Sequence, residues 1–291
     1  MQTLRTILDE KYFPLNLKIR SEFTRYQYRH ALDLFAQSLG HDPLPSDLDD
    51  DAVTIWCGQM LGSDKSISTV RETANRVLAL WRWMAKRRMV ERFPTVCLPD
   101  APETSPLALT EQQLRNLFAS ASRERGHIAG IPASLFWSSY LAFVWTTSER
   151  KSAALAVQVD WIDFGSRVCK IPPAVRKGKK KWGVYTLWPE TLELIADCIA
   201  CQPLRQLVWP WDRCRGSYYT SYDRILTDAG IPVSRKTKTH CLRVSHATWL
   251  KALGGDPTRA LGHSDGATTS KHYLDYAIMP PQEKVLFAPW K

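Results

Sequence analysis

The chain has 291 residues, 44% of them apolar, with a formal net charge of +10. That is room for two ordinary domains or one large one, and the apolar share favours a packed core over disorder. No run of about 18 apolar residues occurs, so no membrane span is expected. Met1 to Glu10 carries Arg5, Asp9 and Glu10 and has no apolar stretch of the kind a signal peptide needs. The seven cysteines are scattered and read as reduced thiols of a cytoplasmic protein. The charge is uneven: 14 lysines and arginines against 13 acids in residues 1–102, but 25 against 16 beyond. A basic second half suits a polyanion, because each phosphate neutralised releases counterions.

The first hundred residues read as helices. Ser21 to Leu39 sets Phe23, Tyr26, Ala31, Leu34 and Phe35 at helical spacing, and Gly40 ends it. Asp49 to Leu61 is a second helix. A third follows Ser66, with Thr69 as N-cap and Glu72 completing a capping box. Its apolar face is Val70, Ala74, Val77, Leu78, Trp81 and Met84. The opposite face, with Arg71, Arg76 and Arg82, reads as a solvated one. Four prolines between Pro94 and Pro106 mark a linker. We therefore divide the chain into a helical domain (1–98), a linker (99–107) and a second domain (108–291).

The second domain opens with a helix capped by Thr110, followed by a strongly apolar helix from Ser134 to Thr147. Arg167 to Pro172 and Gly183 to Leu187 read as two strands of a hairpin around a lysine-rich turn. Helices follow at Pro189 to Ile199, Tyr218 to Ala229 and Arg243 to Leu253. Cys198-Ile-Ala-Cys201, with Cys214, lacks the fourth ligand and second close pair of a zinc site. Cys198 continues the apolar face of Leu192 and Ile195, so no metal is expected.

Four clusters in this half carry potential chemistry. Arg150, in Thr147-Ser-Glu-Arg150, ends a buried helix, where a guanidinium must find an anion or reach solvent. Lys177-Gly-Lys179-Lys180-Lys181 forms a hairpin tip. His240 and Arg243, three apart, share one side of a helix start, where free N–H groups also favour an anion. Leu261-Gly-His263-Ser precedes Tyr273 by ten residues. Each alone is weak; their order is the signal.

That order resembles the tyrosine recombinases, or phage integrases. His240-Cys-Leu-Arg243-Val-Ser-His-Ala-Thr is similar to the family's His-x-Leu-Arg-His-x-x-Ala-Thr. Leu261-Gly-His263-Ser, running on to Tyr273, is similar to its Leu-Gly-His-Ser box and nucleophile. The resemblance spans nearly the whole chain. It implies a mainly α protein, with an N-terminal helical core-binding domain and a mostly α catalytic domain holding a small antiparallel β-sheet. It implies the catalytic set Arg150, Lys177, His240, Arg243, His263 and Tyr273, with Lys179 and Tyr276 as alternatives for the lysine and the nucleophile. It implies no cofactor. Its partner is double-stranded DNA, gripped between two domains, with a homo-tetramer on two sites and a monomer or weak oligomer when free. Three positions depart from the pattern: Ser148 stands for a glycine, Ala153 for an acid that orients the arginine, and Val244 for a histidine.

The chemistry asks for such a set. A phosphodiester under in-line attack gathers negative charge on its non-bridging oxygens, which two guanidiniums can clamp. The histidines donate hydrogen bonds, and one helps deprotonate the tyrosine. The leaving 5′-oxygen needs a proton, which a lysine can deliver. A 3′-phosphotyrosine conserves the bond energy until another 5′-hydroxyl reverses the step. No carboxylate cluster awaits a metal. Two alternatives stay open: a DNA-binding relative without activity, and a type IB topoisomerase. In the tail, Val285, Leu286, Phe287 and Trp290 form an apolar cluster behind Pro280 and Pro281, expected to pack on a neighbouring subunit.

Overall fold

A computed structural model describes residues 2–19, 21–178 and 180–279. Lys179 and the tail cluster from Val285 to Trp290 lie outside the described residues. The chain forms two compact units, Met1–Thr104 and Ser105–Lys291.

The first unit is helical. Helix α1 (Leu4–Ile7) passes through a π-turn, Leu8–Tyr12, into α2 (Phe13–Leu15); α3 (Glu22–Leu39), α4 (Asp50–Gly62) and α5 (Ile67–Lys86) follow. Gly40 closes α3 at φ 78°, a conformation glycine adopts without steric cost. Helix α5 buries all six residues of its expected face.

Two local expectations are corrected. The cap of α5 is Ser66, whose hydroxyl accepts the Thr69 N–H, so Thr69 lies inside the first turn. The earlier start adds a satisfied donor, and Glu72 reaches toward Arg76 (3.9 Å) rather than back to a cap. In α3 the buried stripe is Ala31, Leu32 and Phe35, whereas Phe23 and Tyr26 are 58% and 60% exposed. Tyr26 is nine residues from Phe35, about two and a half turns, and so faces the opposite side.

The second unit is built around α7 (Ala133–Thr147), which buries Phe136, Trp137, Tyr140, Leu141, Phe143 and Val144. Helix α6 (Glu111–Ala121) precedes it, capped by Thr110 with Gln113 bonding back, and a two-stranded ribbon, β1 (His127–Ile128) with β2 (Ile131–Pro132), joins them. After α8 (Lys151–Ala154) come β3 (Ile162–Asp163), β4 (Val168–Ile171) and β5 (Gly183–Thr186), an antiparallel sheet in that order. The hairpin stands as expected, with Cys169 opposite Tyr185 and Ile171 opposite Gly183. Strand β3, two residues long, was too short to leave a pattern.

Helix α9 (Pro189–Ala200) packs on α7, with Cys198 buried between them. Helices α10 (Arg215–Asp228) and α11 (His240–Ala252) each begin three residues before the expected start. Two short helices, α12 (Pro257–Leu261) and α13 (Gly266–Tyr273), complete the unit. Among the described residues no helix is long and apolar enough to cross a membrane.

Candidate active site

Helix α7 ends at Ser148, which takes the left-handed conformation at φ 52°. The Thr147 hydroxyl accepts the Glu149 N–H (3.2 Å), turning the chain so that Arg150 caps α8. Ser148 thus occupies a backbone position that glycine fills more easily, which is why a glycine pattern is expected there. Arg150 faces an open cavity of about 470 Å³ that it shares with Arg176, Lys177, His263 and Thr268. No carboxylate among the described residues pairs with its guanidinium.

Arg243 sits one turn into α11 and is 1% exposed. Its guanidinium donates to the Ser148 carbonyl, to the Leu261 carbonyl (2.9 Å) and to His263 Nε2 (3.2 Å), and its Nε has no partner. Burial, then the charge of Arg150, shift Arg243 downward from the ordinary arginine range. A buried cation held by carbonyls and a neutral ring is costly unless an anion completes it.

A guanidinium only donates, so Nε2 of His263 accepts and the ring proton sits on Nδ1, which donates to Thr269 Oγ1 (2.9 Å). Burial, then Arg243 and Arg150, push His263 down to about 4. His240, the first residue of α11, is also pushed down to about 4, by the crowding around it and then by Arg243, Arg150, Lys177 and His263. Both imidazoles are therefore neutral at pH 7.

Tyr273 is the last residue of α13 and is 8% exposed. Its ring meets His263 at 4.6 Å and His240 at 5.4 Å, both edge-on, and the Arg243 guanidinium carbon lies 5.4 Å from its centre. Thr248 of α11 donates its hydroxyl to the Tyr273 carbonyl (3.3 Å) and accepts the Asp275 N–H (3.0 Å), tying this end of α13 to the helix that carries Arg243. Tyr276, three residues on, is 62% exposed and lies beyond the helix.

The structure therefore gathers all six expected residues in one place. Arg150 and His263 line the cavity together with Lys177, while Arg243 and His240 flank His263 and Tyr273. Residues missed from sequence are Thr248, Thr269, Tyr185 and, above all, Glu149. Ala153 is buried and leaves no acid at its position, but Glu149, 1% exposed, brings a carboxylate to the same turn. A signal was present: an acid beside an arginine at the end of an apolar helix needs a buried cation. Among the described residues no group of three potential metal ligands occurs.

Two unneutralised guanidiniums, two neutral imidazoles, a lysine and a buried tyrosine are the groups that transfer of a phosphodiester to a tyrosine requires. Residues 107–278 match the phage integrase family, and the chain belongs to that family: it is a tyrosine site-specific recombinase. No curated protein matches it in sequence. Its fold is similar to that of a lambda integrase dimer bound to a COC′ core site (TM-score 0.74, 12% identity, covering 98% of this chain and 100% of that one). It is similar to the Tn1549 transposon integrase in complex with circular intermediate DNA (0.72, 12%, 94% and 95%). It is also similar to the XerH recombinase bound to palindromic difH substrate in a post-cleavage complex (0.68, 17%, 85% and 75%).

Proposed function

We propose that Tyr273 is the nucleophile of site-specific recombination and that Arg150 and Arg243 grip the scissile phosphate. The observation that carries this is the buried Arg243: three of its donors are spent on carbonyls and a neutral histidine, and none on a carboxylate. The Tyr273 oxygen attacks phosphorus in line, forming the phosphotyrosine bond as the bond to the 5′-oxygen breaks. His240 takes the tyrosine proton, since both nitrogens of His263 are already bonded to protein groups. The entering phosphate offsets the cations that hold His240 neutral and raises its basicity. Lys177 gives the 5′-oxygen its proton. Attack by a second 5′-hydroxyl then reverses these steps on a new strand.

The partner is double-stranded DNA, held by the helices of residues 1–98 and by the catalytic unit of residues 108–291. Four copies act on two sites and exchange strands through a Holliday junction, in the cytoplasm; the free protein is a monomer or weak oligomer. The DNA complexes of structurally similar recombinases support the DNA partner.

A nicked suicide substrate tests the reading. Tyr273→Phe is expected to bind this DNA and form no covalent adduct, while Tyr276→Phe keeps trapping it. Adduct formation by Tyr273→Phe would overturn it.

A further inference from the structure

The carboxylate of Glu149 is wholly buried, and each oxygen is assigned. Oε1 accepts the N–H of Arg150 (2.8 Å); Oε2 accepts Nε of Arg176 (2.7 Å) and the hydroxyl of Tyr185 (2.7 Å). Arg176 in turn donates to the Tyr185 hydroxyl (2.9 Å) and to the Lys181 carbonyl (3.1 Å). Glu149 belongs to the Arg150 turn, Tyr185 to β5, and Arg176 immediately precedes Lys177. The Lys181 bond closes the loop from 176 to 181 across its base. One guanidinium thus joins the arginine turn to both ends of the lysine loop.

The strand is shaped to admit it. A side chain at Gly183 would lie 2.7 Å from the Tyr185 ring and 3.1 Å from Arg176 Nε. A side chain at Gly262, beside His263, would meet Arg176 only in ordinary contact, at 3.8 Å. Burial disfavours ionised Glu149, but the bonds from Tyr185 and Arg150 and the Arg176 charge outweigh it, and its carboxyl sits below the usual range. The acid is therefore charged and fully spent on this junction.

We infer that Glu149, Arg176 and Tyr185 form a positioning junction that holds Lys177 at a fixed place relative to Arg150, so that proton delivery to the leaving oxygen depends on Arg176. This rests on the reading of Lys177 as the general acid. Three of the five Arg176 donors are committed within the protein, which suits a brace. Lys177, by contrast, is exposed in the cavity and reaches its working place only through the loop that bears it.

The test compares single-turnover cleavage of nicked duplexes carrying a normal or a sulfur-substituted 5′-bridging atom at the scissile phosphate. Sulfur leaves without a proton. Arg176→Met is expected to slow the oxygen substrate on the order of tenfold to a hundredfold, the scale of a misplaced catalytic group. It should cut the sulfur substrate at close to the parental rate. In a Lys177→Ala background, Arg176→Met should add almost nothing. Tyr185→Phe, which keeps the ring and its packing, should show the same pattern more weakly, and thermal unfolding of each variant checks the fold. An equal defect of Arg176→Met on both substrates, with Lys177→Ala still rescued by sulfur, overturns the junction while leaving Lys177 as the acid. Failure of sulfur to rescue Lys177→Ala removes the acid itself, and the junction's role with it. A folded Tyr185→Phe with the parental oxygen rate and an unrescued Arg176→Met likewise overturn it.

Discussion

Arg243 and His263 share a hydrogen bond of 3.2 Å in which the guanidinium donates to Nε2. The bond fixes the imidazole tautomer and sets the ring against Tyr273 at 4.6 Å. It also uses an arginine donor that a phosphate oxygen can claim.

Arg243→Lys should therefore fail in two ways. An ammonium on a flexible stem cannot span the Ser148 and Leu261 carbonyls and His263 in one plane. We expect cleavage of a nicked substrate to fall by about a hundredfold or more, the scale of losing one transition-state donor. Denaturant unfolding should show a loss of about 1–3 kcal/mol from the orphaned carbonyls. Near-parental cleavage by this variant would remove Arg243 from the clamp.

The two histidines predict a pH dependence of stability. Their ordinary value is 6.5, and in the folded protein both are pushed to about 4. Between these values the unfolded chain binds more protons than the folded one, so stability rises with pH. The contribution is fully present above pH 6.5 and is lost as pH falls toward 4. Thermal unfolding of the DNA-free protein should show Tm falling across this window, with a shallower fall in His240→Gln and His263→Gln. An unchanged slope in both variants would show that the rings are not held neutral.

Much of this site was legible because its parts are short and local. His240 and Arg243 lie three apart on one helix start, and His263 precedes Tyr273 across a single short helix, so type and spacing sufficed. The Glu149–Arg176 pair was not legible, because 27 residues separate the partners and only the β4–β5 pairing brings them together. The helical faces of α5 and α7 were readable from periodicity, whereas Tyr26 shows how an apolar residue at loosely helical spacing can fall on the wrong side. The cap of α5 was misplaced because Ser66 and Thr69 both offer a hydroxyl, and only the backbone decides between them.

Ser148 offers a stability test of the turn before Arg150. A non-glycine residue in the left-handed region costs about 1–2 kcal/mol, while glycine gives back part of that as backbone entropy. Ser148→Gly should raise stability by about 0.5–1 kcal/mol and keep cleavage, because the carbonyl that Arg243 uses belongs to the backbone. Ser148→Val, branched at Cβ, should destabilise the fold. A lower Tm in the glycine variant would show that the serine hydroxyl, which donates to the Thr147 carbonyl, matters more than the backbone.

Thr248 gives the sharpest separation of placement from stability. Its hydroxyl links the Tyr273 carbonyl to the Asp275 N–H from within α11, five residues beyond Arg243. Valine matches its shape and removes only these bonds. The Asp275 N–H is then left buried without a partner, at a cost of about 1–3 kcal/mol. The catalytic loss should be larger, because the end of α13 loses its tie to the helix that carries Arg243, and a shift of about 1 Å in a reacting group can cost a hundredfold. Thr248→Ser, which restores the hydroxyl, should recover most of the rate even though it removes a buried methyl. Single-turnover cleavage and denaturant unfolding of both variants decide the matter. If valine lowers rate and stability in proportion while serine restores neither, Thr248 packs the core and does not place the tyrosine.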